Sequence, residues 1–227
     1  MRIDVLTLFP TMFEGFINES IIKRARDMGK ANINIINFRD YTKDKNNRVD
    51  DTPYGGGAGM VLMCQPIVDA IQDLKKSDTH VILLCPTGSV YNEKKAFELK
   101  NKKHLIIIFG HYEGFDDRIR NYVDEVISIG DFALTGGEVP AMAIIDSIVR
   151  LLPGVIKEDS FTNDSFTNNL LDYPVYTKPR NFRGYTVPEV LTNGNHKLIE
   201  EYRKEMQIKR TKEMRPDLLK GENNEKE

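Results

Sequence analysis

The sequence predicts an α/β fold with a mostly parallel sheet, followed by a small, mainly helical C-terminal domain. Three observations carry this. Short runs rich in β-branched residues recur, and several are nearly continuous in apolar character, as expected of strands covered on both faces. Segments with helical apolar spacing lie between them, which is the alternation of a parallel α/β sheet. After Pro153-Gly154 the chain turns polar and then ends in one strong helix.

The elements follow in order. Strands are expected at Ile3–Phe9, Ile33–Phe38, Val81–Cys85, Leu105–Phe109 and Glu125–Ile129. A helix is expected over Thr11–Met28, closed by Gly29 as a C-cap, and another over Pro66–Lys76, with proline near its first turn. Asn92–Lys100 begins on an N-cap residue. Val139–Leu152 places Met142, Ile145, Val149 and Leu152 on one helical face. Lys157–Asn169 is rich in Ser, Thr, Asn and Asp and reads as a mobile linker. It contains a short duplication, Asp159–Asn163 and Asp164–Asn168. A turn-rich strip with Pro174, Pro179, Gly184 and Pro188 precedes a helix over about Lys197–Met214, which carries the i,i+4 pairs Glu200/Lys204 and Glu205/Lys209. The tail Gly221–Glu227 is expected to fray. The resulting boundaries are 1–156, a linker 157–169, and 170–227.

With 227 residues, 40% of them hydrophobic, the chain can bury one good core and a small second domain. A formal net charge of −2 announces no nucleic-acid partner. Charge is uneven, however: Tyr173–Lys220 holds eleven Lys/Arg against six Asp/Glu, a local net of +5 that suits phosphates and equally suits a solvated face. Cys64 and Cys85 form no CxxC pair and have no His at ligand spacing, so a disulfide or zinc site is disfavoured. Asp4 interrupts any signal-peptide run, and no apolar stretch reaches the roughly 20 residues that span a bilayer. The expectation is a soluble, cytoplasmic protein with no membrane contact.

Four motifs could carry chemistry. Gly55–Met60 (GGGAGM) lacks the Lys-Ser/Thr of a P-loop, and the polar Arg39–Pro53 before it is no Rossmann strand. Its glycines suit a flexible loop or a place where backbone approaches a ligand closely. Phe109–Arg118, Ser128–Pro140 and Cys85–Gly88 each follow a strand end, where open α/β sheets bind ligands. Three Gly- or Pro-bearing loops at three strand ends could line one pocket.

Taken together, Asp51–Leu62 (DTPYGGGAGMVL), Gly110–Arg118 (GHYEGFDDR), Ser128–Pro140 (SIGDFALTGGEVP), Leu170–Pro179 (LLDYPVYTKP) and Arg210–Leu219 (RTKEMRPDLL) resemble the bacterial tRNA (guanine-N(1))-methyltransferases of the SPOUT class. The resemblance covers nearly the whole chain with its motifs in order. It implies that the sheet is knotted, a rarity that periodicity could not reveal. It further implies that 1–156 is a knotted catalytic domain binding S-adenosylmethionine, and that 170–227 is a helical tRNA-binding domain. By position the cofactor residues would be Leu84, Cys85, Pro86 and Gly88; Gly110 and Glu113; and Ile129, Gly130, Asp131, Phe132, Ala133, Leu134, Gly136, Gly137 and Pro140. The family's catalytic Asp-Ser-Phe matches both copies of the duplication. Asp164 lies eight residues before Asp172, which fits the family spacing, and Asp159 does not. Arg150 matches the family's active-site arginine, a position that would otherwise read as a surface arginine ending a helix. His111 and Phe132 depart from the arginine and tyrosine common there.

The implied reaction moves a methyl group from S-adenosylmethionine to guanine N1 of the guanosine immediately 3′ of the tRNA anticodon. Guanine N1 carries a proton at neutral pH, so a positioned carboxylate such as Asp164 would take it, an effect of roughly 10²–10⁴ in rate. Arg150 would stabilise the charge that develops on the neighbouring carbonyl oxygen. The family is magnesium-dependent, yet no ligand cluster is legible and no metal residue is assigned. The resemblance also implies a homodimer with composite sites and the anticodon stem-loop of tRNA as partner. Two alternatives remain open: a related knotted 2′-O-methyltransferase, and a non-catalytic RNA-binding module.

Overall fold

The computed structural model describes residues 1–111, 114–157, 164–166 and 168–219. The chain clusters into two compact units, 1–156 and 157–227.

In the first unit, β1 (Arg2–Thr7), β2 (Asn32–Asn37), β5 (Thr79–Val90), β6 (His104–Phe109) and β7 (Glu125–Ser128) form a five-stranded sheet in the order β2-β1-β6-β5-β7. All of its pairings are parallel, with Ile3 opposite Leu105 and Ile82 opposite Ile107. This is the predicted α/β architecture, and the continuous apolar runs have the predicted cause. Side chains alternate between faces, so Ile3, Val5, Ile82, Leu105 and Ile107 enter one core while Leu6, Val81, Leu83, Ile106 and Ile108 enter the other. The first core is closed by α5 (Glu138–Val149), which contributes Ala141, Ile144, Ile145 and Ile148. The second is closed by α3 (Cys64–Leu74) through Ile67, Ala70 and Ile71. Each fully buried aliphatic side chain contributes about 1.5–3 kcal/mol, so truncating Ile107 to alanine in the central strand costs about 2–5 kcal/mol.

Two expectations are corrected. Thr11–Met28 is not one helix. It is a 3-10 turn at Pro10–Phe13, then α1 (Glu14–Asn18) and α2 (Ser20–Asp27). The break falls where Glu19 is extended and Ser20 takes a φ of 52°. Gly29 closes α2 with a φ of 68°, as expected. Second, Cys85–Gly88 is not a loop beyond a strand but an irregularity inside β5. Pairing with β7 stops after Leu84 and resumes at Ser89, because Pro86 has no amide to give the ladder. The helix predicted at Asn92 is α4 (Glu93–Leu99), and the Asn92 side chain accepts from the Lys95 amide at 3.0 Å.

The glycine-rich motif sits between β3 (Asp50–Asp51) and β4 (Val61–Leu62), an antiparallel pair. Gly55, Gly56, Gly57 and Gly59 all have positive φ, and Tyr54 beside them is fully exposed. β4 anchors the next motif: the Leu62 amide donates to the Gly114 carbonyl at 3.0 Å, and the Asp116 amide to the Leu62 carbonyl at 2.8 Å.

The second unit is built on α6 (His196–Met214), capped by Asn195 through the Leu198 amide. Buried Thr211 on α6 accepts from the Leu171 amide at 2.8 Å, and Arg210 donates to the Asp172 carbonyl at 3.0 Å. A short hairpin, β8 (Asn181–Phe182) and β9 (Tyr185–Thr186), turns through Arg183 and Gly184.

Candidate functional site

The irregularity inside β5, the C-terminal ends of β6 and β7 and the N-terminus of α5 enclose a cleft of about 350 Å³. β5 supplies Leu84, Cys85 and Pro86, β6 leads into Gly110 and His111, and β7 leads into Ile129 and Gly130. Phe132, Leu134, Gly136, Gly137 and Pro140 complete it. Residues of all three expected segments thus line one pocket, one of them from within β5 and two from loops beyond their strands. Of the other residues expected here, Gly88 lies under β7, where an added Cβ would come within 2.6 Å of the Val126 carbonyl. Asp131 and Ala133 are exposed and do not line the cleft. Glu113 lies outside the described residues, as do Asp159 and most of the duplicated linker.

The cleft is held by contacts that sequence reasoning missed. Glu138 opens α5 with its side chain 2% exposed. Its Oε1 accepts from the Thr7 hydroxyl at 3.1 Å, and the His111 ring nitrogen Nε2 lies 2.7 Å and 2.8 Å from its two oxygens. Thr7 is itself fully buried and accepts from the Phe9 amide at 3.0 Å. The Phe9 ring leans on His111 with centroids 4.8 Å apart. This network joins the end of β1 to the loop after β6 and to the first turn of α5, where amides without helical partners favour an anion. Gly136 packs against it, and an added Cβ would meet His111 Cε1 at 2.4 Å and Glu138 Oε2 at 2.5 Å. The available signal was Glu138 itself, an acid at the head of a mainly apolar helix.

Arg120 makes a second link. Its Nη2 donates to the Thr87 hydroxyl at 2.7 Å, its Nε to Asp117 at 2.5 Å, and its guanidinium lies 5.9 Å from the Phe115 ring centroid. The loop after β6 thereby grips the irregularity in β5. Asp116 caps the turn that carries Arg120, and the Arg118 guanidinium holds its carboxyl well below the usual carboxylate range against the opposing effect of burial. Across β4, burial first and Asp116 second push the Cys64 thiol up to about 11.

Arg150 is the C-cap of α5, half-buried, at the opposite end of that helix from the cleft. Asp164 belongs to the second unit and opens a tight turn. The Asp172 amide donates to the Ser165 hydroxyl at 3.0 Å and the Phe166 amide to the Leu170 carbonyl at 2.7 Å, so the residues around Asp164 fold back onto the Leu170–Asp172 anchor. Among the described residues, no group of three or more His, Cys, Asp or Glu side chains could hold a metal ion. Among them, too, no helix is long and apolar enough to cross a membrane.

The whole of this architecture has close relatives. Residues 1–221 match the family described as tRNA (Guanine-1)-methyltransferase TrmD. A tRNA (guanine-N(1)-)-methyltransferase of Malacoplasma penetrans is 60% identical over 219 residues, covering 96% of this chain and 97% of its own. Those of Halalkalibacterium halodurans and Anoxybacillus flavithermus are 54% identical over 226 residues and 55% identical over 224, covering 97% and 96% of this chain and 92% and 91% of theirs.

Proposed function

The chain belongs to the tRNA (guanine-1)-methyltransferase family, and from that premise we propose how its residues carry the reaction. The enzyme transfers a methyl group from S-adenosylmethionine to N1 of guanine in tRNA, at the guanosine immediately 3′ of the anticodon. The observation that carries this reading is the cleft that joins the irregularity inside β5 to the loops after β6 and β7. Its volume is within the roughly 300–1,000 Å³ usual for small-molecule sites, and its walls suit the cofactor. Leu84, Ile129 and Leu134 offer apolar surface for a flat ring, and Gly110, Gly130, Gly136 and Gly137 leave backbone open to close approach. When bound there, S-adenosylmethionine supplies an electrophilic methyl group on its sulfonium.

The remaining chemistry belongs to the chain. Asp164 takes the proton from guanine N1, freeing the nitrogen lone pair. Arg150 stabilises the negative charge that spreads to the adjacent carbonyl oxygen. The helix itself argues that these groups serve a second copy. Pro140 lines the cleft, and Arg150 caps α5 ten residues on, roughly 15 Å along the axis and beyond the reach of its side chain. This separation supports a homodimer in which Arg150 of one protomer serves its partner's cleft. Exposed Phe132 and Leu134 at the cleft and Val139 beside Pro140 offer the apolar surface such a homodimer would cover. The tRNA partner is met through the anticodon stem-loop by the basic stretch Tyr173–Lys220 of the second unit, and the protein works in the cytoplasm.

The test incubates the full chain with labelled S-adenosylmethionine and a tRNA transcript, followed by mass spectrometry of the digested nucleosides. Labelled 1-methylguanosine is expected, lost when the guanosine 3′ of the anticodon is replaced by adenosine. Label on a ribose 2′-oxygen would establish the related methyltransferase instead, and no label at all would leave an RNA-binding module. Sedimentation that finds a fully active monomer would overturn the composite site.

A further inference from the structure

The strip from Tyr173 to Arg180 lies in neither helix nor sheet, as its prolines 174 and 179 favour, and it meets α6 at Arg203. Within the second unit it walls a cavity of about 540 Å³. Leu191 and Ile199 give the cavity an apolar lining. Tyr173 and Tyr176 present phenol rings, and Tyr176 is 48% exposed. The Arg203 guanidinium on α6 lies 4.9 Å from the Tyr173 ring centroid, which holds that ring and leaves a planar cation at the wall. Lys178 and Arg180 add two more cations, and no carboxylate lines the cavity among the described residues.

We infer that this cavity is a receptor for one unstacked nucleotide of single-stranded RNA. Its base would stack on the tyrosine and arginine planes, and its phosphate would meet Lys178 and Arg180. The inference rests on the RNA substrate proposed above and deepens it. The chemistry asks for a ligand with a flat π-face and a negative charge. An acidic peptide would satisfy the cations and leave the rings without partners, whereas a nucleotide uses both. The adjoining hairpin points the same way. Arg180 and Val187, which flank it, both line the cavity, and the Val187 amide donates to the Arg180 carbonyl at 2.9 Å. At its tip Phe182 and Tyr185 are 58% and 83% exposed, and the Arg183 guanidinium lies 5.2 Å from the Phe182 ring centroid. Exposed rings interleaved with cations are the pattern that tracks a single strand.

The test measures binding of an anticodon stem-loop RNA hairpin to the full chain by fluorescence anisotropy. Tyr176→Ala should weaken binding roughly tenfold, the typical loss of one base–aromatic stack, and Tyr176→Phe should retain it because the π-face stays. Each loop nucleotide is then made abasic in turn. At one position the abasic hairpin should lose a similar factor with the unaltered protein and nothing further with Tyr176→Ala. Equal binding by Tyr176→Ala, or an unaltered protein indifferent to an abasic site at every loop position, overturns the receptor. The second arm needs no variant and so survives any folding defect. If the unaltered chain binds neither hairpin nor whole tRNA, the substrate reading itself fails and the receptor falls with it. If it methylates tRNA while the abasic series is flat, only the receptor fails.

Discussion

His111→Ala should loosen the head of α5 by an amount the structure allows to be bounded. Removing one partner of a buried polar group costs about 1–3 kcal/mol when the remaining group is left without a hydrogen bond. Glu138 would not be bare, because the Thr7 hydroxyl still donates to it at 3.1 Å. The free amides of the first helical turn add about 0.3–1 kcal/mol for a nearby anion and up to about 2 when partly buried. The His111 side chain is also 17% exposed, so water can reach the vacated place beside Glu138. The expected net loss is therefore within that range and toward its lower end. Glu138→Gln keeps the shape and loses the charge, and should cost about 1 kcal/mol. The double variant should lose less than the sum, with a coupling of about 1–2 kcal/mol. Native-state hydrogen exchange of the α5 amides reads these values where they arise and does not require the two units to unfold together. Calorimetry on the same variants should show weaker S-adenosylmethionine binding, because Gly136 of the cleft rests on this pair. A coupling under about 0.5 kcal/mol, or unchanged cofactor affinity, would refute the assignment of the pair as the support of the cleft. His111→Arg is the complementary arm, since a guanidinium can grip both Glu138 oxygens and should restore most of the loss.

Asp164→Ala should abolish single-turnover methyl transfer at saturating cofactor, by roughly 10²-fold or more, with cofactor affinity nearly unchanged. Asp159→Ala should be close to silent; the reverse pattern would show that the alignment through the duplication is wrong, and two healthy variants would remove the carboxylate base from the mechanism. Gly136→Ala should weaken cofactor binding more than Gly110→Ala in calorimetry, because its Cβ would meet the His111–Glu138 pair at 2.4–2.5 Å while that of Gly110 meets only the Phe115 ring edge at 3.1 Å. Cys64, with its thiol pushed up to about 11, is protonated at pH 8, so its alkylation followed by mass spectrometry should accelerate about tenfold per pH unit toward that value; a rate that levels off near pH 9.0, the ordinary thiol value, would contradict the burial argument.

The sequence by itself determined the layering of the first unit. The β-branched runs at Ile3, Val81 and Leu105 are apolar on both sides of the pleat, and only a parallel sheet covered on both faces satisfies them. It also named most of the cleft, because glycines and prolines at strand ends are local signals of turns and close backbone approach. Local signals failed where long-range contacts compete with propensity. Ser20 breaks the first helix although its neighbours have helical spacing, and Pro86 interrupts β5 without ending it, because β7 resumes pairing beyond. Only the tertiary structure brought Glu138 to Thr7, 131 residues away, and set Arg120 against Thr87, 33 residues away. The energy of such a pair exists only once the fold has excluded water from both groups, and no residue spacing along the chain records it. The same holds for α5: its sequence marks a helix, and its length in space is what separates Arg150 at its C-cap from Pro140 at the cleft.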